Sequence, residues 1–179
     1  MIIIISGLPG SGKSSVAKEV AEKLGYKHYS TGDIQREIAK EKGLTISELG
    51  KLEATDKSFD LMIDRKTKEF VQGKDNIVMD SWLAGNFVLK AVKVFLECNE
   101  DERVRRRLAQ KREEESFQKR EQALKDMQHR VEINRDRWKR YYNYDFLDMS
   151  NYDVVIDTSK IGIDKVVEKV LDFVEDFSD

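Results

Sequence analysis

Eight residues near the start of the chain, Gly7-Leu8-Pro9-Gly10-Ser11-Gly12-Lys13-Ser14, carry the clearest chemical signal. The spacing G-x-x-x-x-G-K-S fits a loop that cradles phosphate. Gly7, Gly10 and Gly12 let the backbone turn tightly and aim its N–H groups at one point. Lys13 can reach the outer phosphates, and the Ser14 hydroxyl is a ligand for Mg²⁺. Three further places hold residues of matching chemistry. Arg36, in Thr31-Gly32-Asp33-Ile34-Gln35-Arg36, is placed for a second anion, although by itself it better fits an ordinary surface arginine. Asp80 ends an apolar run and suits either a strand-end turn or support of Mg²⁺ through its water shell. Arg130, Asn134 and Arg137 fall at i, i+4 and i+7. Their spacing leaves a phosphate clamp and exposed salt bridges equally open.

The elements that must position these residues are legible from periodicity. Ile2 to Ile5 is a β-branched run that fits a strand buried on both faces. After the glycine-rich loop, Val16, Ala17, Val20, Ala21 and Leu24 recur at helical spacing, so the loop opens onto a helix N-terminus, and Gly25 reads as its stop. A short strand is expected over 26–30, a helix over 31–42, and a capping box at Thr45-Ile46-Ser47-Glu48 opening another helix. A helix over 58–72 follows, then strands over 76–80 and 91–97 and a long charged helical region over 100–142. In that region Arg103, Arg105, Arg106, Arg107 and Arg112 mix with Glu113, Glu114 and Glu115, which reads as a solvated face. From Arg120 onward Leu124, Met127, Val131 and Trp138 form an apolar stripe. A last strand over 152–157 precedes Asp157-Thr158-Ser159-Lys160, a loop that suits either contact with a base or a polar turn. An amphipathic helix from Ile163 closes the chain. Strands alternating with helices predict an α/β fold with a parallel sheet flanked by helices.

Composition narrows the function classes. The chain has 179 residues, is 37% charged and carries a formal net charge of -2, which does not advertise nucleic-acid binding. No apolar run approaches the roughly 20 residues of a membrane span. The single Cys98 excludes an internal disulfide and fits a reducing, cytoplasmic setting. His28 and His129 stand far apart, and with one cysteine they propose no metal cluster.

Taken together, these segments resemble the nucleoside monophosphate kinases, and among them the archaeal-type cytidylate kinases. The likeness rests on Ile5-Ser6-Gly7-Leu8-Pro9-Gly10-Ser11-Gly12-Lys13-Ser14, on Thr31-Gly32-Asp33-Ile34-Gln35-Arg36, on Asp80 followed by Leu83-Ala84-Gly85, and on Tyr152 to Ser159. It implies a P-loop NTPase fold of adenylate-kinase type with five parallel strands. It implies one domain over 1–179, with an acceptor-binding segment over about 31–73 and a lid over about 110–145. The implied reaction is phosphoryl transfer from ATP·Mg²⁺ to a nucleoside monophosphate, CMP or dCMP first.

In that reading Gly7, Gly10, Ser11, Gly12, Lys13, Ser14 and Ser15, with Thr158 and Ser159, hold ATP. Ser14 and Asp80 hold Mg²⁺. Thr31, Asp33, Arg36, Asp80 and Trp82 face the acceptor, and Lys13, Arg36, Arg130 and Arg137 act on the transferring group. One departure stands out: the family has an arginine two residues after the acid, and this chain has Trp82, which can stack on a base but cannot pair with phosphate. Gln128 and Ile133 also stand where the family's lid helix usually has an arginine and a serine. The departures keep two alternatives open. One is another acceptor (UMP, AMP or a non-nucleotide hydroxyl); the other is an ATP-hydrolysing assembly factor whose arginine-rich region binds RNA or protein.

Overall fold

A computed structural model of the chain describes residues 1–109 and 120–177. The chain alternates as expected: β1 (Ile2–Gly7), α1 (Lys13–Leu24), β2 (Lys27–Ser30), α2 (Thr31–Glu41), α3 (Ile46–Thr55), α4 (Lys57–Val71), β3 (Ile77–Asp80), β4 (Val92–Glu97), α5 (Glu100–Ala109), α6 (Arg120–Tyr142), β5 (Val154–Asp157) and α7 (Ile163–Asp176). The five strands form one sheet in the order β2-β3-β1-β4-β5, with every neighbouring pair parallel. The region over 100–142, read from sequence as one helical stretch, contains α5 and α6. Arg112 and Glu113 to Glu115, and the first part of the expected lid, lie outside the described residues.

The isoleucine run works as its composition demands. Ile3 and Ile5 face a core with Val16, Val20, Leu96, Val167 and Val170, while Ile2 and Ile4 face a second one with Tyr29, Met79 and Val88. Burying each such side chain stabilises the fold by roughly 1.5–3 kcal/mol, so a central strand apolar on both sides fixes which segment occupies the middle of the sheet. The ends are fixed by local chemistry. Gly25 takes the left-handed conformation that stops α1, and Thr45 with Glu48 forms a complete capping box at α3.

Register decides what emerges at the carboxyl edge. Asp80 pairs with Ile5 on one side and Ser30 on the other, while Gly7 pairs with Leu96. The glycine-rich loop, Asp80 and the start of α2 therefore open onto the same crevice, where the connections from β1 diverge and ligands of open α/β sheets bind.

Candidate active site

The end of the crevice at the glycine-rich loop is made mostly of backbone. At Gly7 (φ 148°) a Cβ would stand 2.5 Å from the Leu96 carbonyl oxygen and 2.6 Å from Ser11 Oγ. At Gly10 (φ 83°) it would stand 2.4 Å from the Arg103 carbonyl oxygen. Only glycine lets the loop lie this close to β4 and α5. Helix α1 then starts at Lys13 without a side-chain cap and without an acid in its first turn. Its leading N–H groups and positive dipole end are thus left for an anion in the crevice. The Ser14 hydroxyl donates to Asp80 Oδ2 at 2.5 Å, and Ser30 Oγ lies 3.4 Å from the same oxygen. A hydroxyl and a buried carboxylate converging beside the loop form an oxygen-only donor set of the kind Mg²⁺ takes. Thr31 Oγ1 donates to the Asp80 carbonyl at 3.3 Å, tying α2 to the end of β3.

Helix α5 braces this loop from outside, which corrects the reading of its arginines as a solvated face. Arg103 Nε donates to the Cys98 carbonyl at 3.1 Å, and Arg107 is buried and lines the crevice. Arg106 donates to the Ser11 carbonyl at 3.1 Å and to the Thr158 carbonyl at 2.6 Å. Arg105 and Arg106 both pair with Glu102, and of the two Arg105 is the exposed one. The signal was in the spacing: Arg103, Arg106 and Arg107 recur at i, i+3 and i+4, one side of a helix.

Thr158 and Ser159, expected at a base, belong to the same brace. Thr158 is fully buried with its hydroxyl 3.1 Å from the Ser11 carbonyl oxygen and 3.0 Å from that of Glu97. Ser159 Oγ accepts the Asn99 N–H at 2.9 Å and donates to Asp157 at 2.5 Å. Neither side chain lines the crevice.

The other end is made of side chains from four elements. The crevice encloses about 1000 Å³ including its open mouth, and it brings the loop, Arg36, Arg130 and one face of α4 together. Arg36 is ion-paired to Asp33, one turn back on α2. Arg130, half-buried on α6, has its pKa pushed down by burial and further by the charge of Arg36. Two guanidiniums that repel one another across one crevice form a site that an anion would relieve.

Trp82 lines the crevice with only 7% of its surface exposed. Its indole stacks on Phe146 at 4.8 Å with 12° between the planes, packs edge-on to Trp138, and donates its N–H to the Gly7 carbonyl. Lys13 Nζ and the Arg130 guanidinium lie 5.4 and 5.5 Å from the same ring. Trp82 therefore joins the loop to the far end of α6 and gives the two cations a π face.

Arg137, expected beside Arg130 on the transferring group, is not in the crevice. It is 1% exposed, with Nη1 2.7 Å from Glu53 and Nε 3.1 Å from Asp60. Its Nη2 donates to Asn134 at 2.9 Å. The seven-residue offset turns it inward, where it neutralises two buried carboxylates. Sequence reasoning also missed the acids of α4. Asp60, Ile63, Asp64 and Thr67 line the crevice at i, i+3, i+4 and i+7, with both carboxylates buried. Acids interleaved with Phe59, Met62 and Ile63 read as the polar side of an amphipathic helix, and only tertiary packing turns that side inward.

Against known proteins, the model of the cytidylate kinase-like family matches residues 2–160. The chain belongs to this family. It is 39% identical over 175 residues to the cytidylate kinase of Methanocella arvoryzae, covering 96% of this chain and 97% of the relative. It is 36% identical to that of Halobacterium salinarum, covering 98% and 90%. Among solved structures, a shikimate kinase from Acinetobacter baumannii superposes with a TM-score of 0.63 at 14% identity, over 98% of this chain and 93% of that one, a likeness of fold. Among the described residues no helix is long and apolar enough to cross a membrane.

Proposed function

We propose that this family member is a kinase that transfers the γ-phosphoryl group of ATP to CMP or dCMP, giving the diphosphate and ADP. The observation that carries this reading is the single crevice shared by the glycine-rich loop, Lys13 and the opposed guanidiniums of Arg36 and Arg130. In-line transfer between two phosphates needs both anions held end to end with the developing charge neutralised, and it needs no general base. The amides from Gly10 to Ser14 and the Lys13 ammonium would hold the donor phosphates. Arg36 would grip the acceptor phosphate from the start of α2, steadied by Asp33. Arg130 would lie between the two and take charge from the equatorial oxygens of the passing group. Ser14 and Asp80 would hold Mg²⁺, which supplies further neutralisation of the donor phosphates. We assign Arg137 a positioning role: it fixes α6, and thereby Arg130, to α3 and α4. We further propose that 1–179 act as one unit, and that α6 forms the stem of a lid which excludes water as a rival acceptor.

The test is an acceptor screen with ATP and Mg²⁺ against CMP, dCMP, UMP, AMP, GMP and no acceptor. Diphosphate formed from cytidylates in step with ADP is the expected result. ADP released equally with every acceptor and with none would overturn the assignment.

A further inference from the structure

The inward face of α4 holds two acids whose situations differ. Asp60 has a cation against it: Trp138 Nε1 donates to Oδ1 at 3.2 Å, and Arg137 Nε lies 3.1 Å from Oδ2 as an ion pair without a hydrogen bond. Asp64, one turn on, is equally buried and lines the crevice. Among the described residues its one hydrogen bond is from the Tyr142 hydroxyl to Oδ2 at 2.5 Å, and no cation lies within ion-pair distance of it. A carboxylate taken out of water without a paired cation is costly unless donors reach it; burial pushes the Asp64 pKa up, opposed by the Tyr142 hydrogen bond and by the more distant charges of Lys68, Arg137 and Lys57. The side chains around it sort the ligand. Ile63 and Leu83, both buried, and the half-buried Phe87 offer apolar surface for a flat ring. Thr67 is fully buried with its hydroxyl committed to the Ile63 carbonyl at 2.8 Å and set against Tyr29. The charged group left to meet a ring edge on this wall is Asp64, an acceptor. Arg36 and Arg130, at another wall of the same crevice, would hold the phosphate of the same molecule.

Resting on the kinase reading above, we propose that Asp64 is the base-reading residue of the acceptor site: its carboxylate, oriented by Tyr142, accepts the exocyclic amino N–H of a cytosine and thereby selects an amine-bearing pyrimidine over one that presents a carbonyl. Cytosine offers an N–H₂ donor at C4. Uracil offers an oxygen at that position, so a buried carboxylate would face a lone pair and lose its donor. A site built to accept a hydrogen bond rejects the analogue that lacks the donor more strongly than an apolar slot rejects a change of size.

The experiment measures kcat/KM for the wild-type protein and for Asp64→Asn with three acceptors: CMP, UMP, and the ribonucleotide monophosphate of 2-pyrimidinone, which is CMP without its amine. Removing the amine is expected to cost the wild type about 10²-fold. The same removal should cost Asp64→Asn less than about tenfold, because a neutral amide gains less from a donor and can turn its own N–H₂ toward the ring. The CMP to UMP ratio should shrink correspondingly in the variant. The wild-type comparison of CMP with the 2-pyrimidinone nucleotide needs no variant to fold. Equal rates for those two acceptors would overturn the role of Asp64 while leaving the kinase reading intact. An equal loss in wild type and Asp64→Asn would also overturn it, placing the amine contact elsewhere. Wild-type protein that forms no diphosphate from CMP would remove the kinase reading, and this proposal with it.

Discussion

The two ends of the crevice are built by different means. At the donor end the groups are backbone: a loop whose glycines fit under β4 and α5, and the uncapped first turn of α1. The residues that matter lie within one short stretch, and the arginines of α5 only steady it. At the acceptor end the groups are side chains drawn from α2, α4, α6 and the turn after β3. They are held by Arg137, buried between Glu53 and Asp60, by Tyr142 on Asp64, and at the surface by Arg140 on the Ala54 carbonyl at 2.8 Å. A backbone cradle suits the ligand part common to every donor nucleotide, since amides read phosphate whatever is attached. A wall of side chains can be altered one residue at a time, which suits the part of the ligand that must be told from its rivals.

If this division is correct, changes at the two ends should separate kinetically. Lys13→Ala is expected to have the largest effect, lowering kcat by about 10³-fold, or about 4 kcal/mol, while the KM for the nucleoside monophosphate changes little. Steady-state kinetics with both substrates varied would check it; a loss confined to acceptor KM would break the comparison. Arg137→Met should come next, through stability rather than chemistry. It leaves Glu53 and Asp60 buried without their cation, and it is expected to cost about 3 kcal/mol or more in urea unfolding. In the protein that remains folded, the KM for the acceptor should rise while that for ATP holds.

The third expectation concerns pH. Burial, opposed by Arg137, pushes the Asp60 carboxyl up to about 6. A folded-state pKa above the unfolded one means that the native protein holds this proton longer. Its contribution to stability is therefore fully present below about pH 4 and is lost as pH rises through about 6, with a slope of at most about 1.4 kcal/mol per pH unit. Asp60→Asn should flatten that part of a plot of urea midpoint against pH. The smallest effect is expected from Trp82→Phe, which keeps a ring on Phe146 but removes the N–H that holds the Gly7 carbonyl. A loss of about 1 kcal/mol in stability is expected, and with it a rise in KM for ATP rather than for the acceptor.

The same contrast explains what the sequence disclosed. All five strands, the loop and the capping box of α3 follow from local patterns, because β-branched runs, glycine spacing and Thr-x-x-Glu state their physics within a few residues. Arg36 was legible for a similar reason, since it stands two positions from Ile34 on a helix whose buried side is plain. Arg137 was misplaced because helical spacing gives a face but not what lies against it. Glu53 and Asp60 are 84 and 77 positions away in the chain, and no periodicity in α6 announces them. Thr158 was misread for the converse reason: a polar triplet after a strand looks exposed until Arg106 closes over it. Asp64 gave no signal because an acid on an amphipathic helix is ordinary until a neighbouring element covers it.

The chain contains two tryptophans, and both lie at the seam between the two ends, 6.0 Å apart by ring centroids. Trp82 carries Lys13 and Arg130 near its ring, and Trp138 donates to Asp60 on the acceptor wall. The indole emission of this protein therefore originates wholly from the seam between the glycine-rich loop and the inward face of α4. If the substrates fill that seam as proposed, the indole emission should change as each one binds, which a fluorescence titration of the unlabelled chain would read.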